Sequence, residues 1–187
     1  MKKPIKNIFS LLFFVMSFVG FSQEPSFYIR SLRSIHLENK PSTLQPISFQ
    51  EVDVVYNKIA QFIDKKIKIS ALGSYEVSGF ANINPGVMGT TLKDSLTIEL
   101  YIIKNHQLPN ETILASTQFT FRYGNLDVAS GLHTELVTIN LQANDEVSMW
   151  IKILPESTVK LNESPKYNHV NKPTGMQQIA GIRIAKI

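Results

Sequence analysis

The chain has 187 residues, a formal charge of +4, 43% apolar residues and no cysteine. That length and apolar content are enough for one domain with a substantial core. The lack of cysteine excludes disulfides, thiolate metal centres and lipid attachment at a cysteine, so packing alone must hold the fold.

The first residues read as an address. Lys2, Lys3 and Lys6 form a basic start, residues 8–21 are an apolar run, and Gly20 and Ser22 put small residues at positions −3 and −1 of a cut before Gln23. This order predicts a cleaved secretory signal peptide over 1–22, of the lysine-rich bacterial type. Its apolar run of 14 residues is shorter than the roughly 20 that span a bilayer, so no transmembrane segment is expected after its removal. Without the three lysines, 16 basic residues face 15 acidic ones. A balanced chain offers no basic face to nucleic acid. The expected location is secreted, either periplasmic or extracellular.

Phe27 and Ile29, followed by Leu32 and Ile35, predict a first strand with a kink where the parity changes, within an N-terminal segment over 23–45. Residues 38–42 are turn material, and 46–49 and 52–56 are short strands. From Lys65 to Ile83 two alternating runs meet at Ala71-Leu72-Gly73. Ile67 and Ile69 alternate with lysines, and Tyr75, Val77, Gly79, Ala81 and Ile83 share one parity, so two strands turn over a core. Residues 84–89 are a loop dense in turn residues. Residues 96–103 form a strand apolar on both faces, and 112–123 one rich in β-branched and aromatic residues.

Residues 132–141 are expected as one strand burying Val137, Ile139 and Leu141, with Asn144-Asp145 as a hairpin turn into Val147, Met149, Ile151 and Ile153. Residues 155–175 are a long loop, serving either recognition or slack, and 179–187 close the chain as an apolar strand. No helical periodicity or internal repeat is present. The pattern is all-β, a two-sheet antiparallel β-sandwich.

Three motifs stand in order: Gly73-Ser74-Tyr75 opening a strand, Leu141-Gln142-Ala143-Asn144-Asp145-Glu146-Val147 at the turn, and Ala180-Gly181-Ile182 near the end. With them residues 46–187 resemble the C1q and tumour-necrosis-factor (TNF) jelly-roll family. Asn144 stands where that family has Gly, a replacement that a left-handed turn tolerates. No Gly-x-y collagen repeat precedes the domain. The resemblance implies a jelly roll, a homotrimer and loops that carry ligand recognition.

Chemistry is sparse. His36, His106, His133 and His169 are isolated and read as loop or surface histidines. Asp94, Glu99, Asp127, Glu135 and Asp145 show no spacing that pairs them for glycoside hydrolysis. No nucleophile elbow or phosphate loop occurs. The expectation is a non-enzyme with no catalytic, cofactor-binding or metal residues and no cofactor. The resemblance leaves calcium open at Asn144, Asp145 and Glu146. Asn110 and Asn162 match the glycosylation pattern but read as ordinary loop asparagines. Trp150 is opposite in parity to Met149 and Ile151, which puts it on an outer face, in an interface or packed on its sheet rather than serving as a sugar platform.

The functional expectation is a secreted binding module with an unknown protein or glycan ligand. The alternatives are a carbohydrate-active or carbohydrate-binding sandwich, or a surface structural or adhesive subunit. If Tyr75, Val77 and Ala81 face the core, Phe80 faces out, and the same parity puts Leu136, Ile179 and Ile187 outside. Four large apolar side chains on one outer face would be covered by further copies of the chain.

Overall fold

The computed structural model describes residues 26–171 and 179–187. The expected signal peptide over 1–22 lies outside those residues, as does part of the 155–175 loop. The strands are β1 (Ser26–Ser31), β2 (Leu44–Pro46), β3 (Val54–Asn57), β4 (Ala60–Ile63), β5 (Lys66–Ile69), β6 (Gly73–Ile83), β7 (Ser95–Lys104), β8 (Thr112–Arg122), β9 (Ser130–His133), β10 (Val137–Leu141), β11 (Glu146–Ile153) and β12 (Ala180–Lys186). A 3-10 turn, Glu51–Asp53, precedes β3. Among the described residues no helix is long and apolar enough to cross a membrane.

The strands form two six-stranded sheets, and every pairing is antiparallel. The first sheet runs β10-β6-β12-β1-β3, with β9 beside the far end of β6; the second runs β4-β5-β11-β7-β8, with β2 beside β11. This is the expected β-sandwich. Alternation builds it directly. Phe27 and Ile29 of β1, Tyr75, Val77 and Ala81 of β6, and Ile182 and Ile184 of β12 are buried from one side. Ile67, Leu100, Ile102, Val147, Met149 and Ile151 are buried from the other. All belong to one cluster, and each such side chain taken from water contributes roughly 1.5 to 3 kcal/mol.

Two expectations about the strands need correction. Residues 132–141 are not one strand: Thr134 interrupts them, exchanging bonds with Gly79 (Thr134 N–H to the Gly79 carbonyl, 2.9 Å, and Gly79 N–H to Thr134 Oγ1, 2.9 Å). The break leaves β9 and β10 both on β6, and Val137 and Ile139 only partly buried. Nor is Asn144-Asp145 a hairpin turn, because β10 pairs with β6 in the first sheet and β11 with β7, β5 and β2 in the second. The turn crosses between sheets. Alternation alone cannot tell a crossover from a hairpin, since both bury every second residue in the same core.

The 155–175 loop is not slack where it is described. Thr158 N–H donates to the Ser95 carbonyl (2.9 Å) at the start of β7, and Val170 bridges to Ile83 at the end of β6. Leu161 and Val170 are buried. The segment therefore closes one open end of the sandwich.

Candidate functional site

The outer face of the first sheet is ordered by register. Arg30 lies opposite Gly181, Gly181 opposite Phe80, and Phe80 opposite His133, giving one row across four strands. The next row runs Tyr56, Tyr28, Arg183 and Ser78. Phe80 lies over Gly181: a Cβ built on that glycine would come within 2.8 Å of Phe80 Cε1 and 2.9 Å of the Ile29 carbonyl oxygen. A side chain there would push the ring off and strain β1, so the glycine sets the flat seat. His133 stacks on the other side of Phe80, with ring centroids 5.8 Å apart and planes 21° from parallel.

Of the four residues expected on this face, three are accessible or partly so. Phe80 is partly exposed, Leu136 is 53% exposed in the break before β10, and Ile187 is 58% exposed beyond β12. Ile179 is a correction: it is 2% exposed and belongs to the core. It precedes β12, where its N–H donates to the Ser31 carbonyl (3.1 Å) and its own carbonyl accepts from Asn82 N–H (2.8 Å). Strand parity does not extend past the end of a ladder, which is why counting back from Ala180 put its side chain on the wrong side.

The second sheet keeps its outer aromatics to itself. Trp150 is paired with Tyr101 and Pro46, its ring lies 4.1 Å from His106, and its Nε1–H donates to Ser148 Oγ (2.8 Å). Tyr101 is 7% exposed and its hydroxyl donates to Glu99; burial, then that carboxylate, hold its phenol well above the usual range. Glu111 Oε2 lies 2.8 Å from His106 Nδ1 without hydrogen-bond geometry. Trp150 thus packs on its sheet.

At the crossover turn, Asp145 is 6% exposed. Its Oδ1 accepts from Asn105 Nδ2 (2.8 Å), its Oδ2 accepts from Gln142 N–H (2.8 Å), and Lys104 Nζ is 3.9 Å away. Glu146 is ion-paired with Lys66 at 2.6 Å. Calcium at Asn144, Asp145 and Glu146 would have to displace these bonds to gain its ligands. Among the described residues no three His, Cys, Asp or Glu side chains gather as a metal-binding group. Asp94 serves a turn in the same way: Thr90 and Thr91 each donate an N–H and a hydroxyl to it, which holds its carboxyl down at about 2.

One histidine departs from the expected exposure. His169 is no surface histidine; it is fully buried. Leu37 N–H donates to its Nδ1 (3.1 Å), and its Nε2–H donates to the Asn162 carbonyl (3.1 Å). The His36 ring lies 4.9 Å away and the Tyr167 ring 5.2 Å. His36 Nδ1–H in turn donates to the Tyr167 carbonyl (2.6 Å). Burial, and then the charge of His36, push the His169 ring down to about 4. His36 and His169 are 133 positions apart in the chain, so no local spacing announces the pair. The closest signal is Val170, an apolar residue in an otherwise polar stretch.

Beside this cluster is a cavity of about 310 Å³, lined by His36, Leu37, Glu38, Asn39, Lys40, Asn162 and Glu163. Its polar groups largely satisfy one another. Glu38 pairs with Lys40, Asn39 Nδ2 donates to Glu163 (3.3 Å), and Asn162 Nδ2 donates to the Gly86 carbonyl (3.1 Å).

No protein-family model matches the chain, and no curated protein sequence does. The functional reading therefore starts from this geometry.

Proposed function

We propose that the chain is a secreted, non-enzymatic binding module of the C1q and TNF-like kind, which self-associates as a homotrimer through the outer face of its first sheet. The observation that carries this reading is the Arg30–Gly181–Phe80–His133 row, with Tyr28, Tyr56 and Arg183 beside it and Leu136 exposed near its edge. Arginine and aromatic side chains on a flat, well-ordered surface are the composition of interface centres rather than of ordinary solvated faces. The strand orders of the two sheets are compatible with the jelly roll that the three sequence motifs suggest. Three copies rather than two follow from the resemblance, in which the corresponding face lies against a threefold axis. Recognition of a protein or glycan ligand then falls to the loops.

Light scattering of the mature protein at micromolar concentration is expected to give three times the chain mass. Phe80→Asp is expected to yield a folded monomer, with an unchanged far-ultraviolet dichroism spectrum, because it buries an unpaired charge only in the assembled state. A monomeric wild type refutes self-association. A catalytic alternative makes a different prediction, namely turnover of some glycan that one carboxylate substitution abolishes. Export has its own readout: the secreted species is expected to begin at Gln23, and a mass that retains residues 1–22 overturns cleavage.

A further inference from the structure

We propose that His169 is an acid-sensitive latch: neutral, it ties the β1–β2 connection to the 154–171 segment, and once protonated it releases that segment from the end of the sandwich. This does not rest on self-association. The buried ring accepts one bond, from Leu37 N–H, and donates one, to the Asn162 carbonyl. Only one neutral tautomer does both. An imidazolium carries two N–H donors, so its Nδ1–H would point at the Leu37 N–H, leaving two buried donors face to face.

The surroundings offer a new charge little compensation. From the β1–β2 connection it faces His36, whose own charge opposes it, with Glu38 and Lys40 paired to each other further along. From its own segment it faces the Tyr167 ring; Glu163 is engaged by Asn39 and lies 4.0 Å from Lys160. The 84–94 connection contributes the Asn84 N–H, which donates to the His169 carbonyl (2.7 Å) rather than to the ring. Asp127 acts on Tyr167, not on the imidazole. Among the described residues no carboxylate forms an ion pair with His169.

What the latch holds is defined by the neighbouring bonds. Ile35 and Val170 exchange backbone bonds of 2.8 and 3.0 Å, and Asn162 N–H donates to the Pro85 carbonyl (3.1 Å). Tyr167 covers Gly86, where an added Cβ would lie 2.3 Å from the ring. Opening would expose Leu37, Leu161 and Val170, all now buried. The folded ring titrates near 4 and a released one near 6.5, so the open form binds more protons between those values. The latch is therefore complete above pH 6.5 and is lost as pH falls toward 4.

Native-state hydrogen exchange on the whole mature chain tests this. Between pH 7 and pH 4.5, after correction for intrinsic rates, protection of the Leu37, Ile35 and Val170 amides is expected to fall about 60-fold, the ratio those two titrations set. Core amides of β6 are expected to remain more protected at pH 4.5 than these three. In His169→Gln, which replaces the ring with a non-titrating donor and acceptor, the three amides are expected to change less than about 3-fold over the same range. Should the variant not fold, the wild-type ring resonance serves: its titration is expected to track the loss of Leu37 protection. A ring that titrates while Leu37 stays protected overturns the latch, as does loss of Leu37 protection only together with the β6 core.

Discussion

Tyr75→Ala is expected to destabilise the domain by about 4 kcal/mol, whereas Tyr75→Phe costs about 1 kcal/mol. The phenol ring is fully buried in β6, opposite Ile139 on one side and Lys186 on the other. Its hydroxyl donates to the Ala71 carbonyl (2.7 Å), fixing the turn that carries the chain from the second sheet into the first. Truncation to alanine removes a ring-sized volume from a packed core and leaves that carbonyl without its partner. The phenylalanine variant keeps the volume and loses only the bond. Urea unfolding of both variants separates the contributions. A Tyr75→Ala protein within 1 kcal/mol of wild type would mean the core collapses around the hole and that this ring does not anchor the crossing.

Asp145→Ala is expected to cost about 3 kcal/mol, with little relief from added salt, although only one side chain of a surface turn is changed. Removing the carboxylate strands the Asn105 amide, the Gln142 N–H and the Lys104 ammonium, whose side chain is only 18% exposed. The loss spreads to β7 and β11, because Asn105 Oδ1 accepts from Glu146 N–H and Asn105 N–H donates to the Glu146 carbonyl, both at 2.8 Å. Asp145→Asn is the informative partner. It keeps the Gln142 bond but turns an NH2 toward Asn105 Nδ2, so about half of the penalty is expected to remain. Equal stability of the alanine variant and wild type would show that water replaces the carboxylate at no cost.

The sandwich was legible because its strands bury one face. A residue such as Val77 or Ile182 declares its side by alternation, and the paired layers follow. What alternation leaves open is which strand lies beside which. The Leu141-to-Val147 motif reads as a hairpin until the partners of β10 and β11 are known, and the bonds of Asp145 explain why Asp occupies that turn. Leu136 and Ile187 lie just outside β10 and β12 and are exposed, whereas Ile179, just before β12, is drawn into the core between Ser31 and Asn82, which counting along the strand does not reveal. The His36–His169 contact was illegible for a different reason. It depends on the path of a segment without periodicity, and the sequence assigns such segments no direction.

The first strand is an interior strand of its sheet, with β12 on one side and β3 on the other, and Ser26 is paired with Ala185. Neither sheet order nor core can be completed until the last strand has been made, since β12 also separates β1 from β6. Contacts of such long sequence separation belong to slowly folding β domains, in which loop closure precedes any reward from pairing. In a nascent chain of this design the first sheet stays incomplete until synthesis ends. Under the export proposed above, that delay would keep the first sheet unsealed until the C-terminal strand had crossed the membrane.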